Sequence, residues 1–176
     1  MHYYCRDKIL VQYYHYLPEF FVYFTSAPAY PTIYSQGYTG TGGVLIQGGN
    51  GSTGLRFYLD NNNAFTSDNF SLNTWYHVAW IRSGTDSKLF IDGTQNQSTA
   101  TSFTHNGNST ENAELGQASG YSGTVSGGPY PFYGYIDEFR ISRVARYISD
   151  FSPPVIVTGK HWLVQVLHFL CYFHYV

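Results

Sequence analysis

Charge is what this chain has least of. Only 11% of its 176 residues are Asp, Glu, Lys or Arg, and the formal net charge is −2. A nucleic-acid backbone is held by clustered Lys and Arg, and no basic stripe of that kind occurs, so nucleic acid is excluded as an expected partner. Cysteine is scarce too: Cys5 and Cys171 lie near opposite ends. One such pair could tie the termini but is no disulfide framework, and it leaves the redox compartment open. Long apolar runs are missing. The most apolar stretch, "WLVQVLHFLCYFHYV" (162–176), is shorter than the roughly 20 residues of a membrane span, and Gln165, His168 and His174 interrupt it. A membrane is therefore not an expected partner. The opening "MHYYCRDKILVQYYHY" has neither the apolar core nor the small-residue cleavage site of a signal peptide, so export by that route is not expected. Finally, between Leu17 and Pro154 no ten-residue segment keeps a 3.6-residue apolar period, which excludes a helical core.

What is abundant is aromatic. Phe, Trp and Tyr make up 19% of the chain, with 18 glycines between them and Asn, Ser and Thr filling the gaps. Aromatic and β-branched residues suit a pleated, half-buried surface, whereas Gly and Asn supply turns. The composition predicts an all-β protein, long enough for one domain with its own core. Three zones are visible: an atypical N-terminal segment (1–16), a Gly/Asn/Ser/Thr-rich domain (17–154) and an atypical hydrophobic tail (155–176). Five of the seven histidines and both cysteines fall in the outer two zones.

Within the middle zone "EFFVYFTSAP" (19–28) and "PTIYSQG" (31–37) read as strands. "GGVLIQG" and "GLRFYLD" read as a hairpin across "GGNGST". "DNNNAF" (60–65) reads as a turn. Residues 75–82 and 87–92 form the clearest strand pair, joined by "SGTD" and closed by "DG". "AELGQA", a Gly/Ser-rich loop (119–128) and "FYGYIDEFRIS" (132–142) complete the pattern. Many short strands with Gly-rich turns predict a sandwich or jelly roll. On the strand from Trp75, the residues Trp75, His77, Ala79 and Ile81 share one face and Tyr76, Val78, Trp80 and Arg82 the other. Both faces are largely apolar, so one face is expected on the core and the other beneath a partial cover.

"WYHVAWIRSGTDSKLFIDGT" followed by "FYGYIDEFRISRVARYISDFSPP" resembles the laminin-G-like members of the concanavalin A-like lectin/glucanase superfamily. The matching motif positions are Trp75 and His77, Asp92 and Gly93, and Asp137, Glu138 and Arg140. The resemblance implies a jelly-roll β-sandwich of two antiparallel sheets over roughly residues 19–154. Its ending resembles the variant found in marine bacteriophage tail-fibre and structural proteins and in bacterial surface proteins. That implies a virion or extracellular, cell-surface location and assembly within a multidomain or fibre protein. An opening strand beside the last one is expected of this family, and residues 1–16 show no motif for it. Truncated or frameshifted termini are one reading of this; "KILVQYY" (8–14) and "PVIVTG" (154–159) as replacement strands are another.

Each chemical candidate has a plainer alternative. His77 has the side chain of a general base or metal ligand, but its apolar neighbours point to a buried imidazole bonded to backbone or a carboxylate. Asp137 and Glu138 are adjacent, whereas a retaining glycosidase needs two carboxyls about 5 Å apart across a cleft; the Glu-x-Asp-x-x-Glu motif of the superfamily's glucanases is also absent. Catalysis is therefore not expected. Asp137 is instead expected to tie its strand to a loop, and Glu138 to pair with Arg140 or Arg143. Calcium is the one candidate cofactor, because related domains hold it at the sandwich rim. Asp60, Asn62 and Asp68 offer hard oxygens for it, with metal-free Asn-rich turns as the alternative. His168, Cys171 and His174 lack an obvious fourth metal ligand, and "GYTGTGG" lacks the Lys-Ser/Thr ending of a phosphate loop. Four Asn-x-Ser/Thr sites, at Asn50, Asn69, Asn96 and Asn108, matter only in a eukaryotic secretory setting. For ligand binding, "GQASGYSGTVSGGPYPFYG" (116–134) offers Tyr121, Tyr130 and Tyr133 to a sugar ring or a protein epitope; the alternative is a loop whose tyrosines pack on the sheet. The expected function is non-enzymatic recognition of a carbohydrate or surface protein ligand through rim loops. A ligand-free spacer and a glycoside hydrolase relative are its rivals.

Overall fold

The predicted alternation becomes ten strands in the computed structural model, which describes residues 17–36, 43–59, 62–83, 86–100, 113–118, 130–142 and 144–155. The strands are β1 (Leu17–Phe24), β2 (Thr32–Gln36), β3 (Val44–Gly48), β4 (Leu55–Leu59), β5 (Asn62–Thr66), β6 (Trp75–Ser83), β7 (Asp86–Ile91), β8 (Thr94–Ala100), β9 (Glu114–Leu115) and β10 (Gly134–Ser142). They form two five-stranded antiparallel sheets. Sheet I has the order β10-β1-β6-β7-β8 and sheet II the order β5-β4-β3-β2-β9. This is the jelly-roll sandwich expected from the motifs.

The inner faces meet in one core. Phe20, Val22, Phe24, Val78, Trp80, Leu89 and Ile136 of sheet I pack on Ile33, Val44, Ile46, Leu55, Phe57, Leu59 and Phe65 of sheet II. Fully burying such a side chain contributes roughly 1.5–3 kcal/mol. Phe57 meets Trp80 edge to face at 5.5 Å, and the indole N–H of Trp80 donates to Ser87 Oγ at 2.9 Å, so the buried donor is satisfied. Tyr34 stacks on Phe139 and donates its hydroxyl to Gln36 Oε1; burial pushes its ionisation well above the usual tyrosine range.

Two sequence expectations change. Residues 62–66 are not a turn but strand β5, paired with β4. Strand β8, "TQNQSTA", has no apolar alternation to announce it; it is an edge strand paired with β7 through a hairpin turn at Asp92-Gly93. Both turn residues have positive φ, 50° and 76°, as a two-residue connection of this hand requires. Strand β10 pairs with β1 over Leu17–Phe24 and forms the edge of sheet I, so among the described residues no strand lies on its other side, where an opening strand is expected. Residues 8–14 and 156–159, read as replacement strands, lie outside the described residues, as do residues 119–129 of the Gly/Ser loop; Pro154 and Val155 are not in a strand.

Strand β10 does not alternate throughout. Glu19 pairs with Arg140 and Phe21 with Asp137, so β10 holds one more residue than β1 across this stretch. The extra residue is a β-bulge centred on Glu138, whose φ is +50°; Asp137 Oδ1 accepts the Glu138 backbone N–H at 2.8 Å. Ile136 therefore faces the core before the bulge, and Phe139 and Ile141 face it afterwards. Arg140 is left on the outer face with Tyr135 and Asp137.

Candidate functional site

The outer face of sheet I carries two neighbouring clusters. The first centres on Glu19, only 2% exposed. Glu19 Oε1 accepts from His77 Nε2 at 2.9 Å and from the Tyr147 hydroxyl at 2.9 Å. Arg140 donates its Nε to Oε2 at 2.9 Å and a terminal nitrogen to Oε1, and Arg146 Nε lies 3.6 Å from Oε2. Burial alone would raise the carboxyl pKa. The hydrogen bonds from His77, Arg140 and Tyr147, together with the Arg140 charge, reverse this and hold it at about 2. Burial, reinforced by the bond to the Glu19 carboxylate, raises the pKa of Tyr147.

A strap formed by residues 144–155 closes this cluster. Ala145, Tyr147 and Phe151 pack on Ala79, Ile81 and Phe90. Phe151 meets Phe90 and His77 edge to face at 5.5 and 5.6 Å, and Tyr147 stacks flat on it with ring centroids 3.5 Å apart. Backbone contacts fix the strap in place: Phe151 N–H donates to Gly93 O, Gln95 N–H to Asp150 Oδ1, and Lys88 Nζ to Ile148 O. Gly93 is required twice, for its positive φ and because a Cβ there would overlap the Phe151 carbonyl oxygen. This strap is the partial cover expected over the second face of β6.

The motif residues thus assemble around the closure. His77 is 1% exposed. Its backbone N–H donates to Asp92 Oδ1, and the Asp92 N–H returns to the His77 carbonyl, both at 2.8 Å. Among the described residues its buried ring Nδ1 has no partner, so the ring's one hydrogen bond is the Nε2 contact with Glu19. The expected Glu138–Arg140 pairing is corrected: the Arg140 guanidinium is taken by Glu19, and exposed Glu138 contributes only its charge. Arg143 lies outside the described residues. Asp137 is the hydrogen-bond acceptor inside its own bulge. Glu19, Tyr147 and Phe151 were not singled out from the sequence. Their positions, far apart in the chain, gave no local signal.

The second cluster lies further along the same face, at the rim where β1 ends and β6 and β10 begin. Tyr135, Tyr23 and Trp75 sit in register on the three adjacent strands. Their centroids are 5.5 Å (Tyr135 to Tyr23) and 5.4 Å (Tyr23 to Trp75) apart, and all three remain half-buried. Tyr133 precedes β10 and is 50% exposed; Leu72 precedes β6 and is 45% exposed.

The candidate ligand residues divide. Tyr133 is open at this rim. Tyr130 is 8% exposed, packed edge to face on Tyr30 at 5.5 Å, so its ring is not presented to a ligand. Tyr121 lies outside the described residues. Of the calcium set, Asp60 is outside them, the backbone of Asn62 is in β5, and Asp68 is exposed in the β5–β6 connection. Neighbouring Asn69 Oδ1 already accepts from Ser52 Oγ and Gly54 N–H. Among the described residues no three His, Cys, Asp or Glu side chains group as metal ligands would.

Comparison with known proteins follows the same lines. No curated protein sequence matches the chain. Among solved structures, a "putative carbohydrate binding protein" from Bacteroides ovatus superposes with a TM-score of 0.65 at 16% identity, covering 81% of this chain and 41% of that one. A mutant Trypanosoma rangeli sialidase displaying trans-sialidase activity superposes with a TM-score of 0.55 at 13% identity, covering 76% of this chain and 21% of that one. At these identities the likeness is one of fold, and the chain spans less than half the length of either. Residues 18–148 match the laminin-G-type family model described as the concanavalin A-like lectin/glucanases superfamily, so the chain belongs to that superfamily.

Proposed function

We propose that this protein is a non-enzymatic recognition module that binds a carbohydrate or another surface ligand at its rim, as part of a phage or bacterial surface protein. The observation that carries the reading is the fate of the cluster with catalytic side-chain types. Glu19 and His77 are closed under the strap, with half-buried Arg140 and the strap's own Tyr147 bonded to the carboxylate, and that carboxyl is held ionised with a pKa of about 2. A glycosidase acid needs the opposite, a raised pKa and an open cleft. Function then falls to the surface, where Tyr133 is open. The superfamily and the description of the Bacteroides ovatus protein support carbohydrate as the ligand class. The phage-like ending "DEFRISRVARYISDFSPP" supports the setting.

A glycan array probed with the purified domain, with and without calcium, tests both the ligand class and the Asp60, Asn62 and Asp68 set. Binding that needs calcium would support the metal; no binding in either condition overturns the carbohydrate reading. Mass spectrometry of purified virions and of bacterial surface fractions tests the setting. The burial of Tyr130 favours a second reading, a ligand-free spacer on a fibre. Unchanged attachment after Tyr133→Ser and Tyr121→Ser together would select it.

A further inference from the structure

We infer that the Tyr135–Tyr23–Trp75 row is the floor of a binding surface for an uncharged oligosaccharide, with Tyr133 as its outer edge; this rests on the carbohydrate reading above. The row is made by strand register. Tyr23 pairs directly with Trp75 on one side and with Tyr135 on the other, so each ring follows the last at one strand spacing, 5.4–5.5 Å. A polymer of similar rings can meet such a repeat step by step, with C–H faces against aromatic faces and hydroxyls near the phenol groups.

Charge selects the ligand class. The three segments that build this corner, residues 20–36, 69–81 and 130–136, contain no Asp, Glu, Lys or Arg. The strapped half of the same face holds Glu19, Lys88, Arg140, Arg146 and Asp150 around its closure. A phosphate, sulfate or carboxylate brought to the corner would lose water, find no counter-charge in these segments and meet the Asp137 carboxylate further along the same face of β10, which is unfavourable. A neutral polyhydroxylated chain has no such loss. Among the described residues the strap stops short of the row: it reaches Gly93 through Phe151 and Pro153, and the three rings stay partly open.

The test is titration with neutral gluco-, xylo-, manno- and galacto-oligosaccharides and with sialylated and sulfated ones, at low and high salt. Calorimetry and tryptophan fluorescence are the readouts, applied to the wild type, Trp75→Ala, Trp75→Phe and Tyr133→Ser. Thermal melts confirm folding, and exposed Tyr133 supplies a variant with little folding risk. A neutral oligomer should bind independently of salt and shift the Trp75 emission. Trp75→Ala and Tyr133→Ser should each weaken it about ten-fold, equivalent to about 1.4 kcal/mol, with Trp75→Phe retaining most of the affinity. Equal binding by all variants overturns the row while leaving the carbohydrate reading intact. Binding of charged glycans alone, released by salt, overturns the neutral class. Binding of no glycan at all overturns the carbohydrate reading and the row with it. A dimer seen by light scattering that Trp75→Ala or Tyr133→Ser converts to monomer makes a second copy the occupant and also overturns the inference.

Discussion

Strand β1 serves two unlike surfaces along one face. Glu19 and Phe21 lie sealed beneath the strap, and Tyr23, two residues further on, lies in a partly open row of rings. Strands β10, β1 and β6 run beneath both regions. The difference comes from residues 144–155, which lie more than a hundred positions away and cover one part of the sheet but not the other. Where the chain supplies its own lid, the face holds a buried carboxylate with arginine, histidine and tyrosine partners. Where the described residues supply none, the row itself carries no charged side chain, Asp137 being the next along the same face of β10, and aromatic groups remain. Sheet position alone therefore does not tell a structural face from a recognition face.

The sharpest way to break this contrast is to remove the anchor of the sealed half. Glu19→Ala leaves Arg140, Arg146 and His77 without their shared acceptor and should destabilise the fold by about 3–5 kcal/mol in urea denaturation. A loss under 1 kcal/mol would show that the network is incidental. Acid should act on the same group. Because the folded-state pKa of Glu19 is lowered to about 2 from 4.5, its stabilisation is fully present above about pH 4.5 and is lost as pH falls toward 2. The loss is roughly 3 kcal/mol, and it should be missing from the pH profile of Glu19→Gln. Gly93→Ala tests the strap itself. The positive φ and the overlap with the Phe151 carbonyl should cost about 2 kcal/mol and raise amide exchange at Phe151. Tyr133→Ser, in the open half, should change stability by no more than about 0.5 kcal/mol. A larger loss would mean that the open corner is structural after all.

The sequence made the regular parts of the fold legible. The β3–β4 and β6–β7 hairpins combine apolar runs with Gly-rich or Asp-Gly turns, so periodicity and turn chemistry agree. Strand β8 was hidden because an edge strand needs no apolar face; its residues are polar, and Gln97 reaches across to the Thr66 carbonyl instead. Strand β5 was hidden by its asparagines, which resemble a turn. The sealed cluster was legible only in part. His77 and Arg140 stand in motifs, but their common partner Glu19 is 58 and 121 residues away, and no local pattern encodes that distance. One signal was present and went unread: the spacing Ile136, Phe139, Ile141 breaks the two-residue period and marks the bulge. The open tyrosines were harder to assign, because Tyr130 and Tyr133 sit in one short stretch and only packing separates them.

The bulge at Glu138 has a consequence for how this chain can change. It acts as a phase inverter: every position after it points to the face opposite the one that plain alternation would give it. Substituting Glu138 by glycine should relieve its left-handed backbone and be harmless, and deleting it would leave Ile136, Phe139 and Ile141 on the core face by plain alternation, whereas inserting one residue just after it, with the bulge otherwise kept, would turn Phe139 and Ile141 outward and aim Arg140 at the core. The strap follows immediately downstream, so the same insertion would misdirect the lid. One added residue at this edge would do what few single substitutions could, undoing the sealed half of the face while leaving the residues of the open half in their sequence.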